Sequence, residues 1–557
     1  MTAPASGSVS GRAPAATPLA ALRTEVLAAA AEVRGDGAPP AQIRVERPKR
    51  AGQGDYSSNV GMLLAPGLGA APREIAARVG EALAARLADR LVAFEIAGPG
   101  FLNLTLADGW YRDALRVVLT EGERFGGGGA APPQRILLEF VSANPTGPLV
   151  VPSGQHAAYG DSLARILQHH GHEVAREYYF NDAGGQITRL GASVVARARG
   201  EAAPADGYQG EYITQLASRI DGAASMSAAR AGSAAVALLL SEIQATLERY
   251  GVHYDRFFSE RMLHEGSPSY VDRALEIVER GGNSYRADGA LWLRTTAFGD
   301  TDDRVLEKSD GEPTYLAADL AYLLEKRERG YEHQLVPVGA DHHGYVARMM
   351  AASGAIGNEP GVLEMPLLQF VHLVDGSQRA AMSKRRGDFV TLDDLLDAIG
   401  VDATRFFMLQ RSHDRTVDLD LDLARRESPE NPVYYIQYAH ARIVTMLGRL
   451  DEDRVAVALR GESWGEEPLQ AAEHDLIKAL MAFPDEVDEA AARRAPHRIA
   501  TYALELAQTF TAFYRDCKVI GSAPESVESL RIALSQATRQ VIALSLGLLG
   551  VTAPDSM

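Results

Sequence analysis

Cysteine is almost absent from the sequence, since Cys517 is the only one among 557 residues. That scarcity excludes an intramolecular disulfide framework and a zinc site built from thiolates, and it is typical of proteins of the reducing cytosol. Long apolar runs are missing as well. No stretch of about 18 apolar residues occurs, so we expect no transmembrane helix and no membrane partner. These absences predict a cytoplasmic protein.

Basic residues are the minority charge. The chain has 56 Lys and Arg against 73 Asp and Glu, a formal net charge of −17. This acidity argues against a protein that coats nucleic acid without specificity, but it leaves room for a local basic surface. Residues 451–490 carry 12 acidic against 3 basic residues, whereas 491–550 carry 7 basic against 4 acidic residues. Two differently solvated faces explain the contrast, and so does one surface suited to phosphates.

Two segments are rich in residues that disfavour regular structure. Residues 1–20 are mostly Ala, Ser, Pro and Gly and lack the charged start and apolar stretch of a signal peptide. Their single arginine is weak support for a transit peptide, so we interpret 1–20 as a disordered tail. Gly126–Gly129, followed by two alanines and two prolines, can form neither a helix nor a paired strand. It marks a Gly/Pro linker at 119–134.

The unit before the linker, 21–118, is predicted to be a small α+β domain. Apolar residues recur every three or four positions over 72–91, which predicts an amphipathic helix. Two strands, 94–97 and 101–106, flank a Gly-Pro-Gly turn. The unit shows no acid–base pair and no metal cluster, which is typical of a binding module.

The unit after the linker, 135–400, alternates strands with helices and contains an insertion around 190–300. The apolar strand 135–141 precedes a helix at 155–170, and 174–180 and 333–338 are further strands. Such alternation predicts a parallel, doubly wound α/β domain whose ligands lie at the carboxyl ends of the strands.

From residue 401 onward the pattern becomes helical. Residues 401–430 are interpreted as a connecting segment, and 431–557 as an all-α bundle. The main amphipathic segments are Val433–Leu450, Ala472–Phe483, Arg494–Cys517 and Val527–Leu549.

Four segments of the sequence together resemble one family, the arginyl-tRNA synthetases of class I. They occur in the family's order and run from about residue 43 to the end. The first comprises Glu46–Lys49, Gly54–Asn59 and Ala97–Asn103, and the others are Glu139–Leu149, Ala381–Gly387 and Asn431–Ile443.

The resemblance implies both a fold and an activity. It implies a Rossmann-like catalytic domain, an N-terminal α+β domain that contacts the outer corner of tRNA, and a C-terminal all-α anticodon-binding bundle. The implied enzyme is an arginine–tRNA ligase of translation, which uses ATP to form arginyl-adenylate and transfers arginine to tRNA(Arg). ATP with Mg²⁺ is then a substrate, no metal is bound by the protein itself, and we expect a monomer.

A candidate arginine site begins with Tyr315 and Asp319. They lie four residues apart and so share one face of a helix, and a carboxylate beside a phenol suits a guanidinium. From the residues alone, a surface aspartate and a half-buried tyrosine are the favoured explanation of the pair. The resemblance assigns the pair to the arginine side chain. It adds four further arginine-site residues: Ser142, Asn144, Gln186 and Asp341.

The first ATP signature departs from the family's pattern. Where the family has His-Val-Gly-His, this chain has Val150, Val151, Pro152 and Ser153. Both histidines, which normally donate to the ATP α-phosphate, are absent, and one lost donor of this kind typically costs about 10²–10³ in rate. His156, about one helical turn further on, is a candidate substitute.

The second signature retains its phosphate-facing lysine, Lys384, although Ala381 replaces the first lysine of the motif. The resemblance assigns catalysis to Met382, Ser383 and Lys384. It predicts an ATP site formed by Pro148, Leu149, Val150, Ser153, Gly154, His156, Lys384 and Arg385.

Two hypotheses for the function follow. One is an active arginine–tRNA ligase with altered ATP contacts. The other is a synthetase-like paralogue that binds tRNA or arginine but adenylates weakly or not at all. A nicotinamide enzyme is excluded because no Gly-rich fingerprint follows the first strand. The His169–His172 segment and Asp341-His342-His343 lack the partners and geometry of a metal site.

The tRNA contacts implied by the resemblance lie in the bundle and the N-terminal unit. Aromatic and basic side chains of the bundle offer stacking surfaces and phosphate donors suited to unpaired bases. The predicted tRNA-binding residues are Tyr435, Gln437, Tyr438, His440, Arg442, Asn59 and Asn103.

Overall fold

A computed structural model describes residues 17–35, 42–48, 52–375, 378–379 and 391–557. The N-terminal region within them combines four helices with short strands. Their bounds are α1 Pro18–Arg34, β1 Val45–Glu46, β2 Tyr56–Ser58, α2 Val60–Leu68, α3 Pro72–Leu87, β3 Leu91–Ala97, β4 Phe101–Leu106 and α4 Asp108–Glu121. The strands form an antiparallel sheet of order β1-β2-β4-β3.

Two boundaries of this region differ from the sequence-based prediction. Helix α1 begins inside the segment interpreted as a tail, because Thr17 caps it by accepting the Ala20 N–H at 3.1 Å. Helix α3 ends at Leu87, four residues before the predicted end, and β3 begins at Leu91. The remainder of the predicted tail, 1–16, lies outside the described residues.

The central region contains the alternating strands and helices. Their bounds are β5 Arg135–Glu139, α5 Val151–His170, β6 Glu173–Phe180, α6 Gly185–Ala198, α7 Glu211–Arg219, α8 Ala228–Arg249, β7 Arg256–Ser259, α9 Tyr270–Arg280, β8 Ser284–Ala287, β9 Ala290–Leu293, β10 Arg304–Glu307, α10 Tyr315–Glu328, β11 His333–Leu335, β12 Val338–Gly339, α11 His343–Ala355, β13 Leu363–Glu364, β14 Leu367–Leu368, β15 Val371–Asp375, β16 Gln378–Arg379, α12 Leu392–Ile399, α13 Val401–Leu409, β17 Val417–Asp420 and α14 Leu421–Ala424.

The main sheet has the parallel order β13-β11-β5-β6-β7. The chain leaves β5 toward β6 and β7 on one side, and later returns to β11 and β13 on the other. The strand order therefore reverses between β5 and β11, where open α/β sheets bind their ligands. This arrangement confirms the predicted Rossmann-like class.

Two parts of the central region stand apart from the main sheet. Helices α6, α7 and α8 belong to the predicted insertion and pack around an apolar cluster of their own. Strands β8, β9 and β10, which follow later in the sequence, form a separate three-stranded antiparallel sheet. The segment interpreted as a connector, 401–430, contributes β17, which pairs in parallel with β15 and so belongs to a further small sheet.

The C-terminal region is helical throughout its main elements. Their bounds are α15 Pro432–Leu447, α16 Glu452–Arg460, α17 Ala471–Met481, α18 Phe483–Ala492, α19 His497–Asp516 and α20 Glu525–Leu549. The predicted bundle is present, with α16 and α18 in addition to the four predicted helices. Helix α20 is long and apolar enough to cross a membrane by length and composition, but 67% of its most apolar window is buried inside the protein.

The N-terminal region packs directly on the bundle. Asp108 accepts a hydrogen bond from His474 at 2.7 Å, and Arg23 donates to both carboxylate oxygens of Asp485 at 2.5 and 2.6 Å. The predicted linker contacts the central region. The Gly128 N–H of the linker donates to the His169 carbonyl near the end of α5.

Candidate active site

A cavity of about 530 Å³ opens at the carboxyl ends of β5 and β11. The loop after β5 forms one wall, and Val336–His342 form another. The backbone of this loop is strained, because Val141 and Ser142 have φ of 68° and 42°, a region that side-chain-bearing residues rarely adopt. Such strain is characteristic of binding sites, where surrounding contacts hold the chain in place.

Glu139, the last residue of β5, lies at the base of the cavity and is almost fully buried. Its Oε2 lies 2.5 Å from Nζ of buried Lys326 on α10, and its Oε1 accepts the Ser142 hydroxyl at 2.9 Å. Ser142 Oγ in turn accepts the Tyr179 N–H at 3.2 Å. A charged group buried in this way needs such partners, and here they fix the position of the loop.

Asp319 on α10 lies beside the cavity and accepts a hydrogen bond from the hydroxyl of cavity-lining Tyr345. Burial raises the pKa of Asp319 to about 6, and the nearby carboxylates of Glu260 and Glu139 act in the same direction. Within the described chain, no Lys, Arg or His lies within ion-pair distance of Asp319. The charge of Lys326 lowers the pKa of Asp319, but this ammonium is already paired with Glu139, so the pocket around Asp319 keeps an excess of negative charge and favours a cationic ligand.

Glu260 and Tyr179 complete this acidic pocket. The Tyr179 hydroxyl donates to Glu260 Oε2 at 2.6 Å, and burial raises the pKa of the Tyr179 phenol. Tyr315, the first residue of α10, shares a helix face with Asp319 as predicted, but its side chain is 76% exposed. The phenol that touches Asp319 is that of Tyr345.

Asn144, Gln186 and Asn181 meet at the outer edge of the site. Asn144 Nδ2 donates to Gln186 Oε1 at 3.3 Å, and Asn144 Oδ1 accepts the Asn181 N–H at 3.4 Å. The structure thus brings together two of the predicted residues, both exposed to solvent.

The altered first signature forms the beginning of α5. Pro152 occupies the first turn, where its missing N–H costs no helical hydrogen bond, and α5 therefore starts at Val151 rather than at the predicted Gln155. Val150 is buried and forms an isolated antiparallel bridge with Thr391. Gly154 packs closely on α12, since a Cβ at this position would lie 2.6 Å from Leu392 Cδ1 and would make that side chain shift.

Val150, Pro152, Ser153 and His156 all line the cavity, whereas Pro148, Leu149 and Gly154 do not. Four predicted residues of the second signature, Met382, Ser383, Lys384 and Arg385, lie outside the described residues. The described chain resumes at Thr391, which caps α12 by accepting the Asp394 N–H.

Asp341 and His342 lie opposite the start of α5. His342 Nδ1 donates to Asp341 Oδ1 at 3.1 Å, and both side chains line the cavity. Burial lowers the pKa of His156 to about 4, although the charge of Asp341 opposes this shift. His156 is thus neutral at pH 7 in the unliganded site.

Some of the predicted tRNA-binding residues of the bundle are accessible to solvent, and others are buried. The rings of Tyr434 and Tyr438 stack with centroids 6.1 Å apart, and the Arg442 guanidinium lies 4.7 Å from the Tyr438 ring and 5.4 Å from that of Tyr514. Tyr435 lines a groove of about 220 Å³ beside them.

Gln437 and His440 are only 8% and 2% exposed. Gln437 donates to Asp402 and Thr552, and His440 bonds the Pro554 carbonyl, so both hold the C-terminal segment against the bundle. In the N-terminal region, Asn103 is buried as well, and Asn59 Oδ1 accepts the Arg44 N–H.

The chain is similar to known proteins over nearly its whole length. An arginine–tRNA ligase from Frankia alni is 46% identical over 538 residues, 93% of this chain and 95% of its own length. The chain belongs to the arginyl-tRNA synthetases. An arginine–tRNA ligase from Kineococcus radiotolerans is 44% identical over 97% of this chain and 99% of its own length. As an arginyl-tRNA synthetase, the chain is an aminoacyl-tRNA ligase of class I.

Family models locate the parts of this arginyl-tRNA synthetase. The arginyl-tRNA synthetase N-terminal domain matches 20–106, the class I (R) catalytic domain 235–422, and the DALR anticodon-binding domain 436–557. The Thermus thermophilus arginyl-tRNA synthetase shares the fold, with a TM-score of 0.74 at 24% identity over 96% of this chain and 99% of its own.

Sequence reasoning missed five residues of the site: Glu139, Tyr179, Glu260, Lys326 and Tyr345. Two of them carried a usable signal, because Glu139 ends an apolar strand and Glu260 directly follows another. Acids at the carboxyl ends of parallel strands are expected near a ligand. Lys326 and Tyr345 gave no such signal, since only the fold brings their helices to β5.

Proposed function

We propose that this chain activates arginine with ATP and transfers it to tRNA(Arg), and that the acidic pocket at Asp319 receives the arginine guanidinium. The observation that carries the proposal is the unmatched charge of this pocket, where Asp319 and Glu260 have tyrosine partners but no ion-pair partner among the described residues. A guanidinium supplies a planar fork of donors that suits carboxylates, and it remains charged at any relevant pH.

The amino-acid backbone would lie toward the loop after β5. We assign the α-amino group to the polar edge formed by Ser142, Asn144 and Gln186, and Asp341 closes the pocket on the side of β11. Tyr315, at the exposed start of α10, is positioned to cover the guanidinium once arginine is bound. This arrangement leaves the arginine carboxylate facing the start of α5.

The reaction assigned to the cavity is attack of the arginine carboxylate on the ATP α-phosphate. A carboxylate oxygen forms the new P–O bond, the bond to the β-phosphate breaks, and pyrophosphate leaves with its electron pair. ATP enters with Mg²⁺ as part of the substrate. We assign the adenine-nucleotide contacts to Pro148, Leu149, Val150, Ser153, Gly154 and His156, together with Met382, Ser383, Lys384 and Arg385 of the second signature.

For tRNA we propose the exposed aromatic surface of the bundle as the contact with unpaired bases. Tyr438, Arg442 and Tyr435 offer one stacking platform with a phosphate donor. Gln437 and His440 would act indirectly, by fixing the C-terminal segment next to that surface. Asn59 is assigned to the tRNA-facing side of the N-terminal domain, and Asn103 supports it through its bond with Ser57.

Identity to arginine–tRNA ligases over nearly the full chain favours the ligase over the inactive paralogue. The test is aminoacylation of tRNA(Arg) with labelled arginine by the full chain. We expect charging with arginine and none with citrulline, whose side chain has the same shape but no charge. Charging that does not discriminate between the two would contradict the assignment of the acidic pocket, and absence of charging would contradict the ligase function.

A further inference from the structure

The start of α5 lacks the donors that a phosphate requires. Val150 is buried and has no polar side-chain atom, Pro152 has no N–H, and Ser153 is short and neutral. Charge that develops on the α-phosphate in the transition state would meet no imidazole at the four signature positions, 150–153. If the chain adenylates arginine, other donors must face the same space.

Two imidazoles line this cavity from opposite sides. His156 lies on α5 three residues after Ser153, so it projects from nearly the same helix face about one turn deeper. It is half-buried and close to the Pro337 carbonyl, Asp341 and His342. Leu392 packs against Gly154, two residues before His156 on the same helix.

His342 is positioned by Asp341. Because a carboxylate only accepts, Nδ1 of His342 carries the proton shared at 3.1 Å, and Nε2 is left for a ligand. The side chain is 60% exposed. His343, the next residue, is also exposed but does not line the cavity, and it begins α11.

We propose that His156 and His342 together replace the two signature histidines as donors to the ATP α-phosphate. This inference rests on the proposed function, because it assigns catalytic residues to the same adenylation step. Both side chains line the same cavity as Ser153, His156 from α5 and His342 from the segment after β12, so both lie next to the space where the altered signature offers the phosphate few donors.

Donation to a phosphate oxygen requires a proton on the cavity-facing nitrogen. The negative charge of the triphosphate favours the imidazolium form, so ATP binding and protonation support each other. The other titratable groups that line the cavity are Glu139, Asp341 and Tyr345. Glu139 is already paired with Lys326, which leaves Asp341 as the nearest carboxylate to both rings.

The test compares H156N, H342N and the matched control H343N by arginine- and tRNA-dependent ATP–pyrophosphate exchange with the full chain. We expect kcat to fall about 10²-fold in each of the first two variants, with H343N unchanged. If the wild-type chain shows no exchange, the proposed function is wrong. If the wild type is active and H156N and H342N both exchange as fast as H343N, only the present inference is wrong.

The separate effects on kcat and KM distinguish a phosphate donor from a structural role. In H342N and in the H156N/H342N double variant, kcat should fall while the KM for arginine stays near the wild-type value, because the two imidazoles are assigned to the phosphate and not to the amino acid. Because His342 is exposed, H342N keeps the test decisive even where H156N fails to fold. A rise in the KM for arginine with kcat unchanged in H342N would contradict the proposal.

Discussion

The backbone of Val150 pairs with that of Thr391 in an isolated antiparallel bridge, and the Leu392 N–H donates to the Leu149 carbonyl at 2.9 Å. The altered first signature is thereby tied to Thr391 and Leu392, which lie a few residues after the second signature in the sequence. A substitution at Val150 or at Thr391 is therefore expected to affect the position of both segments. The Val150 side chain is buried beside this bridge and presents no polar atom to the cavity, unlike the histidine that the family has at this position.

Replacing Asp319 with asparagine should weaken arginine binding strongly. The carboxylate is the unmatched charge of the pocket, and truncation of one partner of a buried charge pair costs about 2–5 kcal/mol. We expect the KM for arginine to rise by at least about 30-fold with a smaller change in the KM for ATP. The matched control is D206N on an exposed loop, which should behave as wild type; a D319N variant with wild-type KM would contradict the arginine assignment.

The pH dependence of arginine use should follow Asp319. Burial raises the pKa of Asp319 to about 6, so the free site loses its charge as pH falls through 6, and kcat/KM for arginine should fall with it. Y345F removes a hydrogen bond to the charged form and should move this acid limb to higher pH. A limb that stays in place in Y345F would exclude Asp319 as its source.

Replacing Lys326 should destabilise the fold, because its ammonium pairs with a buried carboxylate. K326M leaves the buried Glu139 carboxylate without its ion-pair partner, which costs about 3–5 kcal/mol of unfolding free energy. Urea denaturation measures this, with K308M as control because the Lys308–Glu312 pair is exposed and should contribute little to stability. If the two variants are equally stable, the Glu139–Lys326 pair does not hold the loop after β5.

The aromatic platform of the bundle should bind tRNA. Y438A and R442A remove a stacking surface and a phosphate donor, and each should weaken tRNA(Arg) affinity by about 1–3 kcal/mol. Filter binding gives the measurement, and R449A at the exposed end of the same region controls for loss of one positive charge. Equal affinities for R442A and R449A would show that general charge, rather than the platform, attracts the tRNA.

Much of this fold follows from local sequence patterns, and the exceptions have identifiable causes. The sequence pattern predicts three strands of the main sheet, β5, β6 and β11, and the long bundle helices, whereas the short strands β7 and β13 are not predicted. The sequence pattern predicts α5 only from Gln155, whereas the helix begins at Val151, because proline at 152 is well suited to a first helical turn. Helix α18 was not predicted as a separate element, although its first turn carries acids that favour a helix start.

The site was harder to predict because distant contacts decide it. Asp319 was found from its spacing, but Tyr345, 26 residues further on, provides its hydroxyl partner in place of Tyr315. Gln437 and His440 have the chemistry of RNA contacts, yet the C-terminal segment more than 110 residues away buries both. The residues around Gln437 and His440 in the sequence give no sign that a distant segment buries these side chains.

The measurement that tests the central claim most directly is arginine- and tRNA(Arg)-dependent ATP–pyrophosphate exchange by the full-length wild-type chain. We predict robust exchange that stops when arginine is omitted, despite Val150 and Ser153 in place of the signature histidines. Exchange at background level, from a chain that still binds tRNA(Arg), would contradict the account and identify a paralogue that has lost adenylation.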